Sequence, residues 1–322
     1  MSKLDKNVGV IGQGFVGTAV REKFKENFNT YTFDINKREQ SKIFTGDKIS
    51  EDYCTLETLV ENCEILFLCV PTPMFPSGKC DTGIVENAII DIDNIASNLN
   101  KKPVVILKST VPPGTVESLN KDYKNVGITF SPEFLTEANS IEDFKNQKRI
   151  ILGVDWIEYV EPINKVFTTC FPDAEIVFLT SSEAEMSKYM INLFLATKVS
   201  FFNDMFRIVN GINNTSTVDR NMSFESIVNA MLLDPRIGKS HYMVPGPDGD
   251  YGYGGHCFPK DMAAMLNIAD QLKMSVPTLF GASTTNSIVR QNRDWEEMKG
   301  RAVSENEEWE IVEGLSDIDN EH

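Results

Sequence analysis

"VGVIGQGFVG", Val8 to Gly17, opens the chain with an apolar run that breaks into three glycines spaced G-x-G-x-x-G. A run without polar interruption is the signature of a strand covered on both faces, and a helix is expected to begin near Phe15. Between such a strand and such a helix each glycine has its own task. Gly12 permits the tight turn, Gly14 lets a diphosphate approach the backbone, and Gly17 packs helix on strand, with the phosphates meeting the helix N-terminus at Phe15 and Val16. The next expected strand, "TYTFD", ends on Asp34. An acidic side chain about twenty residues after the glycines accepts hydrogen bonds from an adenosine ribose and repels a 2′-phosphate, so NAD is favoured over NADP. Lys37 and Arg38, close by, read as exposed helix charges.

Outward from this stretch, short β-branched runs alternate with polar helical segments: "CEILFLCV", "PVVILKST", "VGITFSPEF", "RIILGVD" and "AEIVFLT". The alternation predicts βαβ units, hence an α/β doubly wound parallel sheet of Rossmann type over residues 1–181. From about Ser182 the pattern changes. Helical apolar spacing continues for about thirty residues without proline, with Ser181 or Ser182 as the expected N-cap. This long central helix leads into an all-α dimerisation and substrate domain, residues 182–298, with helices around "SFESIVNAMLL" and "DMAAMLNIADQLKM" separated by the loop "VPGPDGDYGYGG". Residues 299–322 read as an acidic, solvated tail on which Trp309, Ile311 and Val312 are the apolar exceptions.

The chain has 322 residues, 41% hydrophobic and 24% charged, enough to bury a core in about two domains. A formal charge of −16 argues against nucleic acid or an anionic membrane as partner. No apolar stretch has the length of a membrane span and the start has no signal-peptide layout, so a cytoplasmic location is expected. Six cysteines without CxxC spacing fit that compartment, and with only three histidines no metal site is expected.

Three loops follow expected strands and would face the ligand crevice: "VPTP" (Val70–Pro73), "KSTVPPGT" (Lys108–Thr115) and "SPEFLTEANSIEDF" (Ser131–Phe144). They bring Thr72, Thr110, Glu133 and Glu137 toward a nicotinamide. On the long helix Lys188 and Asn192 stand four apart and share a face, where an ammonium and an amide can hold an oxyanion or a sugar hydroxyl. In "GYGGHCFPKD", Gly252–Asp261, Pro259 suits a first helical turn, which puts Cys257 at a helix N-terminus that favours a thiolate. Taken alone, the decamer fits a small packed thiol better than a nucleophile.

These motifs, with "GQGFVG", "NLFLATKVSFFND" and "DPRIG" in the same order, resemble the nucleotide-sugar dehydrogenases of the UDP-glucose/GDP-mannose dehydrogenase family, from about Val8 to Phe280. The resemblance implies a dehydrogenase that uses NAD to oxidise a sugar nucleotide alcohol to the acid, with UDP-glucose the favoured substrate and a homodimer the expected assembly. It makes Cys257 the nucleophile, through a thiohemiacetal and then a thioester. Lys188 or a water held by Asp261 is the implied base, Lys188 and Asn192 stabilise the developing oxyanion, and Asp261 or Glu133 activates the hydrolytic water. Thr110 and Glu137 fall beside the cofactor and the reacting carbon. Phe134, Leu135, Gly254 and Arg236 join Glu133, Lys188 and Asn192 as implied substrate contacts, Arg236 across a dimer interface.

Family members continue into a second Rossmann-like domain that helps hold the uridine diphosphate. No further alternation of strands and helices follows "NRDW" here, so half of the nucleotide pocket is expected to be missing or supplied by another chain. The loop from Arg236 to Cys257 is longer than usual, and His256 stands where the family commonly has another residue. Two alternatives stay open: a two-electron β-hydroxyacid dehydrogenase, and an NAD-binding protein without turnover.

Overall fold

Each of the seven apolar runs becomes a strand of one sheet in the computed structural model, which describes residues 7–36, 53–136, 139–215 and 221–308. In chain order these are β1 (Asn7–Ile11), β2 (Asn29–Phe33), β3 (Ile65–Leu68), β4 (Val104–Leu107), β5 (Gly127–Phe130), β6 (Arg149–Gly153) and β7 (Glu175–Leu179). The spatial order is β2-β1-β3-β4-β5-β6-β7, so the winding reverses between β1 and β3. In a doubly wound sheet the ligand crevice lies beyond the carboxyl ends of those two strands. β1 to β5 are parallel, as their apolar character predicts. β6 differs: it joins β5 antiparallel through the single pairing of Phe130 with Gly153, and β7 then runs parallel to β6. Among the described residues, the regular element between β5 and β6 is α5 (Ser140–Lys145), six residues long, which is too short to carry the chain back as a full crossover helix.

Side chains alternate between two cores. Leu66, Leu68, Val105, Leu107, Ile128 and Phe130 point to the face covered by α2 (Leu56–Asn62), α3 (Gly83–Asn98) and α4 (Thr115–Asp122). Ile65, Phe67, Val104 and Ile106 point to the other, where Phe67 meets Phe24 of α1 (Phe15–Phe24) at a centroid distance of 4.5 Å and Phe167 of α6 (Ile157–Cys170) at 6.0 Å. Both faces being apolar is what leaves β3, β4 and β5 buried at every position.

The long helix is α7, Ser181–Asn214, and it runs straight through Gly211. Its cap is Thr180, not Ser181 or Ser182. β7 ends at Leu179 and leaves Thr180 extended (φ −66, ψ 158), the conformation an N-cap needs, and a capping box closes between Thr180 and Glu183. Ser181 is instead buried, its hydroxyl donating to the Gly153 carbonyl at 3.2 Å. A Cβ at Gly153 would come within 2.8 Å of both Ser181 and Ala184, so a glycine in β6 lets the root of α7 sit on the sheet.

Farther along α7, Tyr189, Leu193 and Ala196 form a third core with Met262 and Met265 of α9 (Cys257–Gln271) and Ala282 of α10 (Pro277–Val289). α8 (Phe224–Met231) packs by its Val228 against Phe202 of α7. Beyond α10 the chain makes a short 3-10 turn, Asp294–Glu297, and returns to the loop after β3. There the Met74 amide donates to the Ala302 carbonyl and the Ser304 amide to the Met74 carbonyl, both at 2.8 Å. Residues 299–308 are therefore docked, with Ala302 fully buried, where a solvated tail was expected. Trp309, Ile311 and Val312 lie outside the described residues, as do Lys37 and Arg38.

Candidate active site and cofactor cleft

The glycine turn after β1 has the shape of a diphosphate cradle. Gly12 is left-handed (φ +85), and a Cβ there would lie 2.5 Å from the Cys69 carbonyl. At Gly17 a Cβ would strike the Gly12 carbonyl, whereas at Gly14 it would meet nothing within 4 Å. Two glycines are thus demanded by packing, and the third borders open space at the N-terminus of α1, where Phe15 and Val16 begin the helix. Asp34 stands at the end of β2. Its carboxylate accepts from the Gln13 amide at 2.7 Å and the Asn36 amide at 2.9 Å, which fixes it beside the turn. Thr72 is buried and donates to the Thr110 carbonyl at 2.7 Å, tying the loops that follow β3 and β4. Glu137 lies outside the described residues. The cradle, the acidic residue and the paired loops fit NAD.

Three elements meet at the candidate catalytic cluster. Cys257 is the first residue of α9, and Asp261 stands one turn farther along the same helix. Lys188 and Asn192 face them from α7, both almost fully buried. Asn192 donates to one Asp261 oxygen and Lys260 to the other, each at 2.6 Å. Lys188 donates to Glu133 Oε1 at 3.1 Å and also to the Glu133 carbonyl, so α7 is locked to the loop after β5. The Leu135 amide holds the other Glu133 oxygen at 3.1 Å, and the Phe134 ring is flanked by Lys188 at 5.3 Å and Arg149 at 4.9 Å.

The charges act on one another strongly in so little water. Burial alone would lower Lys188, but Glu133, Cys257 and Asp261 outweigh it and hold the ammonium above the ordinary lysine range. Burial would raise Glu133, yet Lys188, the Leu135 amide and Lys108 keep it below the usual carboxylate range. Lys260 is raised in the same way as Lys188, with Asp261 as its main partner against burial. Cys257 goes opposite to the expectation of a thiolate. Burial pushes it up to about 11, with Asp261 and Glu133 adding to the rise and Lys188 and Lys260 only partly offsetting it. A helix N-terminus does not hold an anion between two carboxylates out of water, so Cys257 rests as the thiol at neutral pH.

Two further residues implied as substrate contacts have local partners of their own. Arg236 is exposed and forks onto Asp234, with its Nε at 2.9 and 3.0 Å from the two oxygens. Gly254 has a packing reason to be glycine, because a Cβ there would strike Arg290 and come 2.5 Å from Asp294. Arg290 is itself buried and binds Asp248 at 2.7 Å and Asp294 at 3.1 Å, which staples the glycine-rich loop before Cys257 to α10. Sequence reasoning missed Arg290, and it missed Lys108. The latter is buried and donates to the Ser131 hydroxyl and the Pro132 carbonyl, both at 3.1 Å, and burial brings it down to about 8, with Glu133 opposing. Its signal was a lysine closing an otherwise apolar strand.

Two family models match this arrangement piece by piece: the NAD binding domain of the UDP-glucose/GDP-mannose dehydrogenase family over residues 48–171, and the central domain of the same family over residues 182–287. The chain belongs to the UDP-glucose/GDP-mannose dehydrogenase family. A UDP-glucose 6-dehydrogenase of Rickettsia bellii is 35% identical over 240 residues, which is 73% of this chain and 50% of that protein. One from Pseudomonas aeruginosa is 32% identical over 221 residues, 65% of this chain and 45% of that protein. The chain thus spans about half the length of the curated relatives it matches. A solved UDP-glucose dehydrogenase from Pyrobaculum islandicum shares the fold with a TM-score of 0.76 at 24% identity, over 89% of this chain and 69% of that one. Among the described residues no helix is long and apolar enough to cross a membrane, and no group of His, Cys, Asp and Glu could hold a metal ion.

Proposed function

We propose that the chain is an NAD-dependent nucleotide-sugar dehydrogenase that carries UDP-glucose to UDP-glucuronate by a four-electron oxidation on Cys257. The observation that carries this reading is the meeting of Cys257 with Lys188, Asn192, Asp261 and Glu133, drawn from two helices and one strand-end loop. Bound NAD supplies the hydride acceptor in each half of the reaction. Lys188, held as an ammonium, and the Asn192 amide would donate to the substrate oxygen as negative charge develops on it. An ammonium is a poor base. Of the two expected bases, a water held by Asp261 is therefore preferred for the hydroxyl proton.

The Cys257 sulfur would add to the aldehyde carbon to give a thiohemiacetal, and loss of the second hydride leaves a thioester for water to cleave. Because the thiol rests protonated, its proton must leave as the sulfur attacks, and Asp261 or Glu133 lies close enough to influence it. A panel of sugar nucleotides incubated with NAD tests the reading. NADH should form with UDP-glucose, and Cys257→Ala should lose acid formation. NADH formation by Cys257→Ala through to the acid would overturn it.

A homodimer belongs to the same reading. Met190, Phe194, Phe201, Ile208 and Ile212 of α7 are exposed, and at about 100° per residue they fall on one face of the helix. Such a stripe on a long helix calls for cover, and a second copy of α7 supplies it.

A further inference from the structure

The segment that returns from α10 crosses the one place in the sheet where a dinucleotide is expected to lie. Met74 belongs to the loop after β3 and Phe15 to the turn after β1, the two strands at which the winding reverses. Residues 301–304 touch both. Ala302 and Ser304 pair with the Met74 backbone, and the guanidinium of Arg301 lies over the Phe15 ring, 4.9 Å from its centroid. The strap is anchored beyond this crossing as well. The Asn306 amide group donates to Asp81 at 2.8 Å, the Ser304 hydroxyl to the same carboxylate at 2.5 Å, and Trp295 is buried at the other end. Arg301 is itself exposed while its neighbour Ala302 is fully buried, so the backbone is fixed and the cation is presented outward on Phe15.

Phe15 is the first residue of α1 and follows Gly14, at which a side chain would meet nothing within 4 Å. We propose that Arg301 is a cofactor-binding residue, held by the 294–308 strap over the cleft so that its guanidinium pairs with the diphosphate of the dinucleotide. A planar guanidinium matches two phosphate oxygens, and its charge answers the one strongly anionic part of the ligand in a chain whose net charge is −16.

The inference rests on the cofactor being NAD and not on turnover, so it is tested by binding alone. Calorimetry with NAD and with ADP-ribose, which keeps the diphosphate, compares the full chain with Arg301→Leu and Arg301→Lys. Arg301→Leu keeps the packing on Phe15 and loses the charge. It should weaken both ligands about tenfold, as expected for one charge-assisted contact, and flatten the salt dependence of binding. Arg301→Lys should restore part of the loss. Both variants should keep a single cooperative thermal unfolding transition, since the side chain is exposed and the strap's backbone anchors are untouched. NAD affinity in Arg301→Leu equal to that of the parent chain would overturn the proposal while leaving the cofactor in place. A parent chain that binds neither ligand would overturn the cofactor reading and the proposal together.

Discussion

Cys257 shows what one residue owes to its sequence and what it owes to its surroundings. Its place at a helix start is legible in the glycines before it and Pro259 after it. Its protonation is not, because the groups that set it lie far away in the chain: Lys188 on α7 and Glu133 beyond β5. With the thiol pushed up to about 11, alkylation of Cys257 by iodoacetamide should still be rising steeply between pH 8 and 10, by about tenfold per unit. A rate already level at pH 7 would show a resting thiolate. Asp261 makes the second residue-scale prediction. Removing it by Asp261→Ala leaves Lys260 buried without its carboxylate and Asn192 without its acceptor, which should cost on the order of 3–5 kcal/mol in urea unfolding. Asp261→Asn, which keeps the shape, should cost less.

At the scale of elements, the sheet was legible because its central strands are apolar runs bounded by turn residues, and such runs fit only between covering layers. The reversal of β6 was not. Pairing direction depends on how the chain returns, and a six-residue α5 leaves no periodic signal that separates one return from another. The cap of α7 was one or two residues off for a similar reason, since the end of β7 decides which hydroxyl is left extended.

Within α7, Glu185 is fully buried and accepts from the Gly114 amide at 2.6 Å and the Val116 amide at 2.9 Å, joining the long helix to the start of α4. Burial pushes it up to about 7, with Asp155 and Glu117 adding to the rise, against the pull of those two amides. The folded chain therefore binds this proton more tightly than the unfolded chain, whose glutamates titrate near 4.3. The contribution is fully present below about pH 4 and is lost as pH rises through 7, on the order of 3 kcal/mol in all. Glu185→Gln should remove that part of the slope in urea unfolding followed between pH 4.5 and 8, and an unchanged slope would contradict the assignment. The exposed stripe on α7 makes a separate prediction from the proposed dimer: light scattering should give a dimer mass for the parent chain and a monomer mass for Phe194→Glu, without loss of helix content.

For the molecule as a whole, α7 and the 294–308 strap tie the helical part back to the loops that follow β5 and β3. The strap was the least legible part. An acidic stretch without apolar periodicity gives no pattern from which docking on Met74 or Phe15 can be read, because the partners are more than two hundred residues away. By contrast, Lys188, Asn192, Asp261 and Glu133, singled out in separate motifs, are brought together with Cys257 by the fold, and the thiol's resting state is the point that only folding determines. Electron count tests the Cys257 route most directly. With UDP-glucose limiting and NAD in excess, two NADH should form for each sugar nucleotide consumed. One NADH per sugar would contradict the Cys257 thioester route.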